Sequence, residues 1–241
     1  MNYQERTYRK WIKHNDLTVV RVSERETDLL ISGDIDLAEK ALAPIKRYRQ
    51  DIKQYIAQNP DFRTSLSPVD VHDDAPEIVK EMAAAARKAG VGPMGAVAGA
   101  IAEFVGKDLL KFSEQIIVEN GGDIFIKTSK KRTLGIYAGN SPFTGKMALA
   151  IEAEQTPLGI CTSAGTVGHS LSFGKADATI IFSKSTSLAD AVATATGNIV
   201  SKPEDIEKSI EFAKSIDGIE GAVIIVGSSC GAWGKVTMVK A

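Results

Sequence analysis

Several features are scarce in this chain, and each scarcity closes a class of function. Two cysteines, Cys161 and Cys230, are too few for the disulfide framework of a small secreted fold. The chain carries 29 lysines and arginines against 30 acids, a formal net charge of −1 with no basic stripe. Nucleic acid is therefore not expected as a partner. The longest apolar stretch, "VGPMGAVAGAIA", ends at Glu103, short of the roughly 20 residues that span a bilayer, so no membrane partner is expected either. The polar start "MNYQERTYRKWIKHND" has no apolar signal core, which together with the shortage of cysteine points to a reducing cytoplasm.

What is present is core-forming material. Hydrophobic residues make up 44% of 241 positions, ample for a real interior. "LTVVRV" (17–22) and "TDLLIS" (27–32) predict an N-terminal hairpin. From Leu37 to Tyr55 apolar residues step by three or four opposite a Lys, Arg and Gln face, which predicts a long helix with a kink at Pro44. "NPDFRTSLSPVDVHDDAP" predicts a long loop. "PEIVKEMAAAARKA" predicts a helix stopped by Gly90, and a Gly- and Ala-rich second helix follows. From 115 onward strand-like runs alternate with turns and predict mostly antiparallel pairing. Two later helices carry capping-box spacings at Ser187/Asp190 and Ser201/Glu204. The pattern is α+β, with no separating linker.

Four stretches carry chemistry. In "ENGGD" (119–123) the glycines supply positive φ for a hairpin, or let a ligand lie against the backbone while Asp123 or Glu119 accepts hydrogen bonds from it. The turn is expected to face the start of the helix containing Ala98. In "SLADAVATATGN" Asp190 and Thr194 share a helical face, half of a hard-cation site or else a cap and a packing residue. "CTSAGTVGHSLSFGKAD" concentrates Thr162, Ser163, Thr166 and His169 among glycines, a setting for phosphate and for an acid or base at His169. Cys230 in "GSSCGAWG" reads as a quiet buried thiol, or as a nucleophile beside His169.

Taken in order, these stretches resemble the ApbE-like superfamily, flavin transferases that move FMN from FAD to a protein Thr or Ser. That family has a Gly-Gly-Ile-Ala-Lys-Gly segment, then Asn-x-Gly-Gly-Asp, then Thr-Ser-Gly, then an Ala-Asp-Ala-x-x-Thr helix. The counterparts here are "GAVAGA" (95–100), "ENGGD" (119–123), "TSAG" (162–165) and "ADAVAT" (189–194). "AAAARKAGVGPMGAVAGAIAE", "ENGGDIF" and "TSAGTVGHSLSFGKAD" resemble more closely a bacterial and archaeal branch of that superfamily without an assigned function, over nearly the whole chain. Two positions depart from the transferases: Gly99 stands where they have Lys, and "GHSLSFGKAD" where they have His-Ile-Ile-Asp-Pro.

The resemblance implies an ApbE-like α+β fold of mostly antiparallel sheets packed with helices. It implies one unit over 1–241 that includes the hairpin and long helix of 17–57. It also implies Mg²⁺ held by the Ala98 carbonyl, Asp190 and Thr194, and a flavin nucleotide such as FAD. Two readings stand side by side. One is a cytoplasmic, metal-dependent, transferase-like enzyme that binds a flavin or other phosphate-bearing small molecule at Gly121, Gly122, Asp123, Thr162, Ser163 and Thr166, with His169 as the catalytic group. The other is a non-catalytic binding module that kept the fold. Both are compatible with self-association.

Overall fold

The central strands bury both faces, and this sets the layering. The computed structural model describes residue 9, residues 12–13, 16–165 and 174–241. Its main sheet is built from β2 (Thr18–Glu24), β3 (Thr27–Gly33), β4 (Ile116–Asn120), β5 (Asp123–Lys127), β8 (Leu158–Ser163), β9 (Ala178–Ser183), β10 (Ile219–Val226) and β11 (Ser229–Gly234). They lie in the order β11-β10-β9-β8-β5-β4-β3-β2, and every neighbouring pair is antiparallel. A smaller antiparallel sheet contains β1 (Ile12–Lys13), β6 (Arg132–Gly135), β7 (Met147–Ile151) and β12 (Thr237–Lys240), in the order β1-β6-β7-β12.

Alternation along each strand divides its side chains between two cores. In β9, Ala178, Ile180 and Phe182 join Leu134 and Leu149 of the smaller sheet, while Ile181 turns to the helical side. The antiparallel strands therefore read as unbroken apolar runs, because neither face meets water. The helical layer holds α1 (Ala38–Gln58), the short α2 (Asp61–Thr64), α3 (Glu77–Ala89), α4 (Val97–Leu109), α5 (Thr186–Ile199) and α6 (Ile206–Lys214).

The expected hairpin and long helix form at their expected places. α1 carries Pro44 in its interior and buries Ala41, Ile45, Ile52 and Tyr55. Gly90 closes α3 in the left-handed conformation at φ 72°, its amide donating to the Ala86 and Arg87 carbonyls, as a C-terminal glycine cap should. The long loop after α1 contains the single helical turn of α2. Among the described residues no single helix is long and apolar enough to cross a membrane.

The two expected capping boxes are not the ones that form. Ser185, not Ser187, caps α5, its hydroxyl accepting from Leu188 N at 3.1 Å. Ahead of α6 the acceptor is Asp205, whose Oδ2 takes the amides of Ser201 and Lys202 at 2.8 and 3.0 Å; Glu204 is not the partner. Ser187 and Asp190 are thereby released for contacts outside their own helix terminus.

Those contacts lie where α4 crosses α5. A methyl group at Gly99 would fall 2.5 Å from the Thr186 carbonyl oxygen and 2.7 Å from the Asp190 Cβ. Across this crossing the Gly99 amide donates to Asp190 Oδ2 at 2.8 Å. In the other direction the buried Glu103 of α4 accepts from the Thr186 and Ser187 amides at 2.8 and 3.1 Å, and from Lys107 Nζ at 2.6 Å. On its far side α4 meets the sheet through Gly106, where a methyl group would lie 2.2 Å from a Phe125 ring carbon.

Gly99→Ala is expected to force this backbone contact apart. Overpacking of this kind costs about 1–3 kcal/mol, and each kcal/mol lowers Tm by roughly 2–4 °C in a chain of this size. Thermal unfolding measures it, and an unchanged Tm would show that the crossing is not close-packed.

Candidate functional site

The Gly121-Gly122 turn joins β4 to β5, with Asn120 paired to Asp123. Both glycines have positive φ, 69° and 109°, the requirement of the tight hairpin turn that matches strand twist. Room is not the constraint at Gly122, since a methyl group there would keep an ordinary 3.6 Å contact with the Thr162 carbonyl. The polar residues around the glycines tie the turn to its surroundings. Glu119 Oε1 accepts from Gly122 N at 2.9 Å, and its Oε2 accepts from Arg9 Nε at 2.6 Å. Asn120 Nδ2 donates to the Ala98 carbonyl at 3.0 Å, so the turn faces the start of α4 as expected. Asp123 Oδ1 accepts from Thr162 N at 3.3 Å.

A cleft of about 1290 Å³ opens at this turn. Glu119 to Asp123 line it together with Ala98, Val97 and Met94 from the start of α4. Leu134, Ile136 and Tyr137 contribute from the smaller sheet, Ile160 and Thr162 from β8, and Ile52 and Lys53 from α1. Its apolar strand walls match the general make-up of small-molecule sites, and its polar lining is drawn from the turn and from α1, α2 and the β2–β3 turn.

Three acidic groups converge behind the turn. Burial first, then the charges of Asp190 and Glu119, push the Asp123 carboxyl well above the usual carboxylate range. Burial likewise raises Asp190 to about 7, against the opposing pull of the Gly99 and Ala98 amides. The buried Cys161 thiol, whose Sγ lies 3.3 Å from the Thr186 carbonyl, is pushed up by burial and then by Asp123 and Asp190. Two carboxylic acids forced together without a neighbouring cation are a recognised mark of a functional site.

Of the residues expected to hold a metal, Asp190 is tied to the start of α4 at Gly99, beside Ala98, and Thr194 packs on the segment just before it, where a methyl group added at Gly95 would lie 3.6 Å from its Cγ2. Carbonyl, carboxylate and hydroxyl oxygens are the donor types that a hard cation takes. The Ala98 oxygen and the Asp190 carboxylate each accept a protein hydrogen bond and keep lone pairs beyond it. The donor set therefore fits the ion. Among the described residues no group of three or more His, Cys, Asp and Glu side chains is arranged to hold one.

Of the other expected site residues, Gly121, Gly122, Asp123 and Thr162 line the cleft. Ser163 does not: it follows Thr162 on β8, so its side chain turns to the other face and packs toward Gly197 of α5. Thr166 and His169 lie outside the described residues. Cys230, expected to be buried, is exposed on β11, and Cys161 is the buried thiol. Missing from the expected set is a cationic group of lining residues, Arg25, Arg49, Lys53 and Arg63. Their signal was the basic face of α1, where Arg49 and Lys53 stand one turn apart, a pattern that most often marks a solvated surface.

A family model described as AbpE bacteria matches residues 9–234. Among curated proteins, a UPF0280 protein of Methanococcus aeolicus is 44% identical over 222 residues, covering 90% of each chain. A UPF0280 protein of Methanosarcina acetivorans is 42% identical over 218 residues, covering 88% of this chain and 85% of its own. Among solved structures, the ApbE protein of Thermotoga maritima superposes with a TM-score of 0.57 at 14% identity, covering 89% of this chain and 96% of that one. The apo flavinyl transferase ApbE of Pseudomonas stutzeri gives 0.51 at 13% identity, covering 90% and 94%. At such identities the shared property is the fold.

The raised acids fix a pH dependence. An unfolded aspartate titrates near ~3.9, whereas folded Asp190 titrates at about 7 and Asp123 is also raised. Between these values the folded chain binds more protons than the unfolded one, so its stability falls as pH rises from about 4 to about 7. Thermal unfolding in chelator across that window is expected to show a falling Tm. Asp190→Asn keeps an oxygen for Gly99 N and removes the titration, so its slope should be flatter; identical slopes would refute the assignment.

Proposed function

The chain belongs to the AbpE bacteria family, and on that premise we propose that its cleft binds a flavin nucleotide together with a divalent cation. The observation that carries the reading is the pair Asp123 and Asp190, both raised by burial, with Asp123 lining the cleft at the Gly-Gly turn and Asp190 behind it, near enough for its charge to act on Asp123. A cation there relieves their repulsion and gives phosphate oxygens a counter-charge. The Ala98 carbonyl, Asp190 and Thr194 are the residues that would hold it. The flavin part of the reading draws on the fold shared with proteins named as flavin transferases. At about 1290 Å³ the cleft exceeds the ~300–1,000 Å³ usual for small-molecule sites, which suits a dinucleotide.

In this reading the chain's own groups have separate tasks. Glu119, fixed by Arg9 and Gly122 N, holds the turn in shape. Ile160, Leu134 and Ile136 offer an apolar slot for a flat ring system. Burial raises the Asp123 carboxyl above the usual carboxylate range, a nearby cation would offset that, and the Thr162 amide steadies the ionised form.

A second reading, a binding module without transfer chemistry, is favoured by Gly99. Where the transferases carry Lys, this chain has a backbone contact too close for a methyl group. The family's lysine therefore has no counterpart in space.

Metal-stripped protein titrated with FAD and FMN, with and without Mg²⁺, tests the proposal by flavin fluorescence and thermal unfolding. FAD with Mg²⁺ is expected to raise Tm with the logarithm of the ligand excess, through about 2.7 kcal/mol of stabilisation at a hundredfold excess over Kd. In Asp190→Asn the Mg²⁺ dependence should vanish. A wild type indifferent to flavin and metal alike would sink the reading. Release of AMP from FAD separates transferase from binding module.

A further inference from the structure

One wall of the cleft is cationic and belongs to neither the turn nor the acidic corner. Arg49 and Lys53 reach it from α1, Arg63 from α2, and Arg25 from the two-residue turn between β2 and β3. Arg49 is already engaged, donating to Thr27 Oγ1 at 2.6 Å and pairing with Glu26. The other three are exposed. The side chains of Lys53 and Arg63 have no hydrogen-bond partner among the described residues. Arg25 Nε forms only a long, exposed ion pair with Glu24, at 4.0 Å.

Among the described residues the acids of the cleft form no hydrogen bond with these three side chains. Glu26 is held low first by Arg49, with Lys53 a smaller influence. Glu119 is paired with Arg9 at 2.6 Å. Burial pushes the Asp123 carboxyl above the usual carboxylate range, and it faces Asp190 rather than these side chains. A cationic wall on a concave surface concentrates anions.

Backbone strain supplies an independent pointer. Arg25 has φ 56°, the one positive φ on a non-glycine residue among the described residues. It is the first of two residues between Glu24 and Thr27, which pair directly, a position where glycine or asparagine is at ease and arginine is not. A strained residue whose side chain lines a cleft is the arrangement found at ligand clamps.

We infer that Arg25, Lys53 and Arg63 form a diphosphate-recognition site. It binds the diphosphate of a nucleotide ligand, the flavin nucleotide if the proposed function holds, or free pyrophosphate. Guanidinium forks suit paired phosphate oxygens and the lysine adds a point charge. The inference rests on the proposed function only for the identity of the ligand's other end.

The test uses the full chain and four probes: riboflavin, FMN, FAD and inorganic pyrophosphate, each titrated calorimetrically into wild type, Arg25→Gly and the double variant K53A/R63A. Arg25→Gly removes the side chain and relieves the backbone, so its Tm should stay level or rise. Its affinity for pyrophosphate and FAD should fall about tenfold or more, the loss of a charge-assisted bond, with riboflavin unaffected. K53A/R63A should show the same selectivity. Arg25→Asn, which also tolerates positive φ, repeats the measurement without the added freedom of glycine. Failure of wild type to bind pyrophosphate overturns the inference, as does equal pyrophosphate affinity in every variant. Pyrophosphate binding that depends on these residues, with no flavin bound, upholds the inference and removes the flavin reading. Flavin binding indifferent to all three residues does the reverse.

Discussion

The structure depends on a reciprocal exchange of carboxylates between two helices. Helix N-termini carry unsatisfied amides and a partial positive charge. In α4 the exposed amide is that of Gly99, and one turn along the same face stands Glu103. In α5 the amides are those of Thr186 and Ser187, and one turn beyond Thr186 stands Asp190. Crossed at Gly99, each helix closes the other's start: Asp190 takes the Gly99 amide, and Glu103 takes those of Thr186 and Ser187. Burying two carboxylates is costly unless each is met by donors. The arrangement meets both, and only glycine at the crossing lets the backbones come close enough.

The position of the cleft follows from that crossing. With the start of α4 fixed, the Ala98 carbonyl offers an acceptor for Asn120, and this bond brings the β4–β5 turn against the helix. The turn's shape comes from glycine conformations, and its attachment comes from the flanking Glu119, Asn120 and Asp123. Asp123 in turn faces Asp190. A single stretch of electrostatics thus runs from the helix crossing to the cleft, and the acid that stabilises α4 is also the acid that a cation in the cleft would meet.

Much of this was legible in the sequence, and most of the misses share a cause. Periodicity placed α1 because its buried stripe and basic face are both determined within the helix. The hairpin at 119–123 was legible because positive φ at two successive residues is a local demand that glycine answers. The cap of α5 was misassigned because Ser187 and Asp190 satisfy the spacing rule, yet their oxygens are drawn to another helix 84 and 91 residues away; ahead of α6 the neighbouring Asp205 takes the amides instead of Glu204. Ser163 was misplaced because a residue cluster in sequence ignores strand alternation, which turns Thr162 to the cleft and Ser163 to α5. The cationic wall was hidden since Arg25, Lys53 and Arg63 belong to three elements, and their common cleft exists only after folding.

The same crossing explains why cationic groups stand where they do. A side chain at position 99 would have to pass through the Thr186 carbonyl and Asp190 Cβ, so α4 cannot present a lysine from that point. Nor can its first-turn amides serve an anion, because Asp190 already occupies them. Any anionic ligand of the cleft must then find its counter-charge elsewhere. The remaining sources are a cation bound at the acidic corner and the side chains of the opposite elements in sequence, α1, α2 and the β2–β3 turn. Close packing at the crossing thus removes one electrostatic solution and leaves the strained Arg25, with Lys53 and Arg63, as the chain's own alternative.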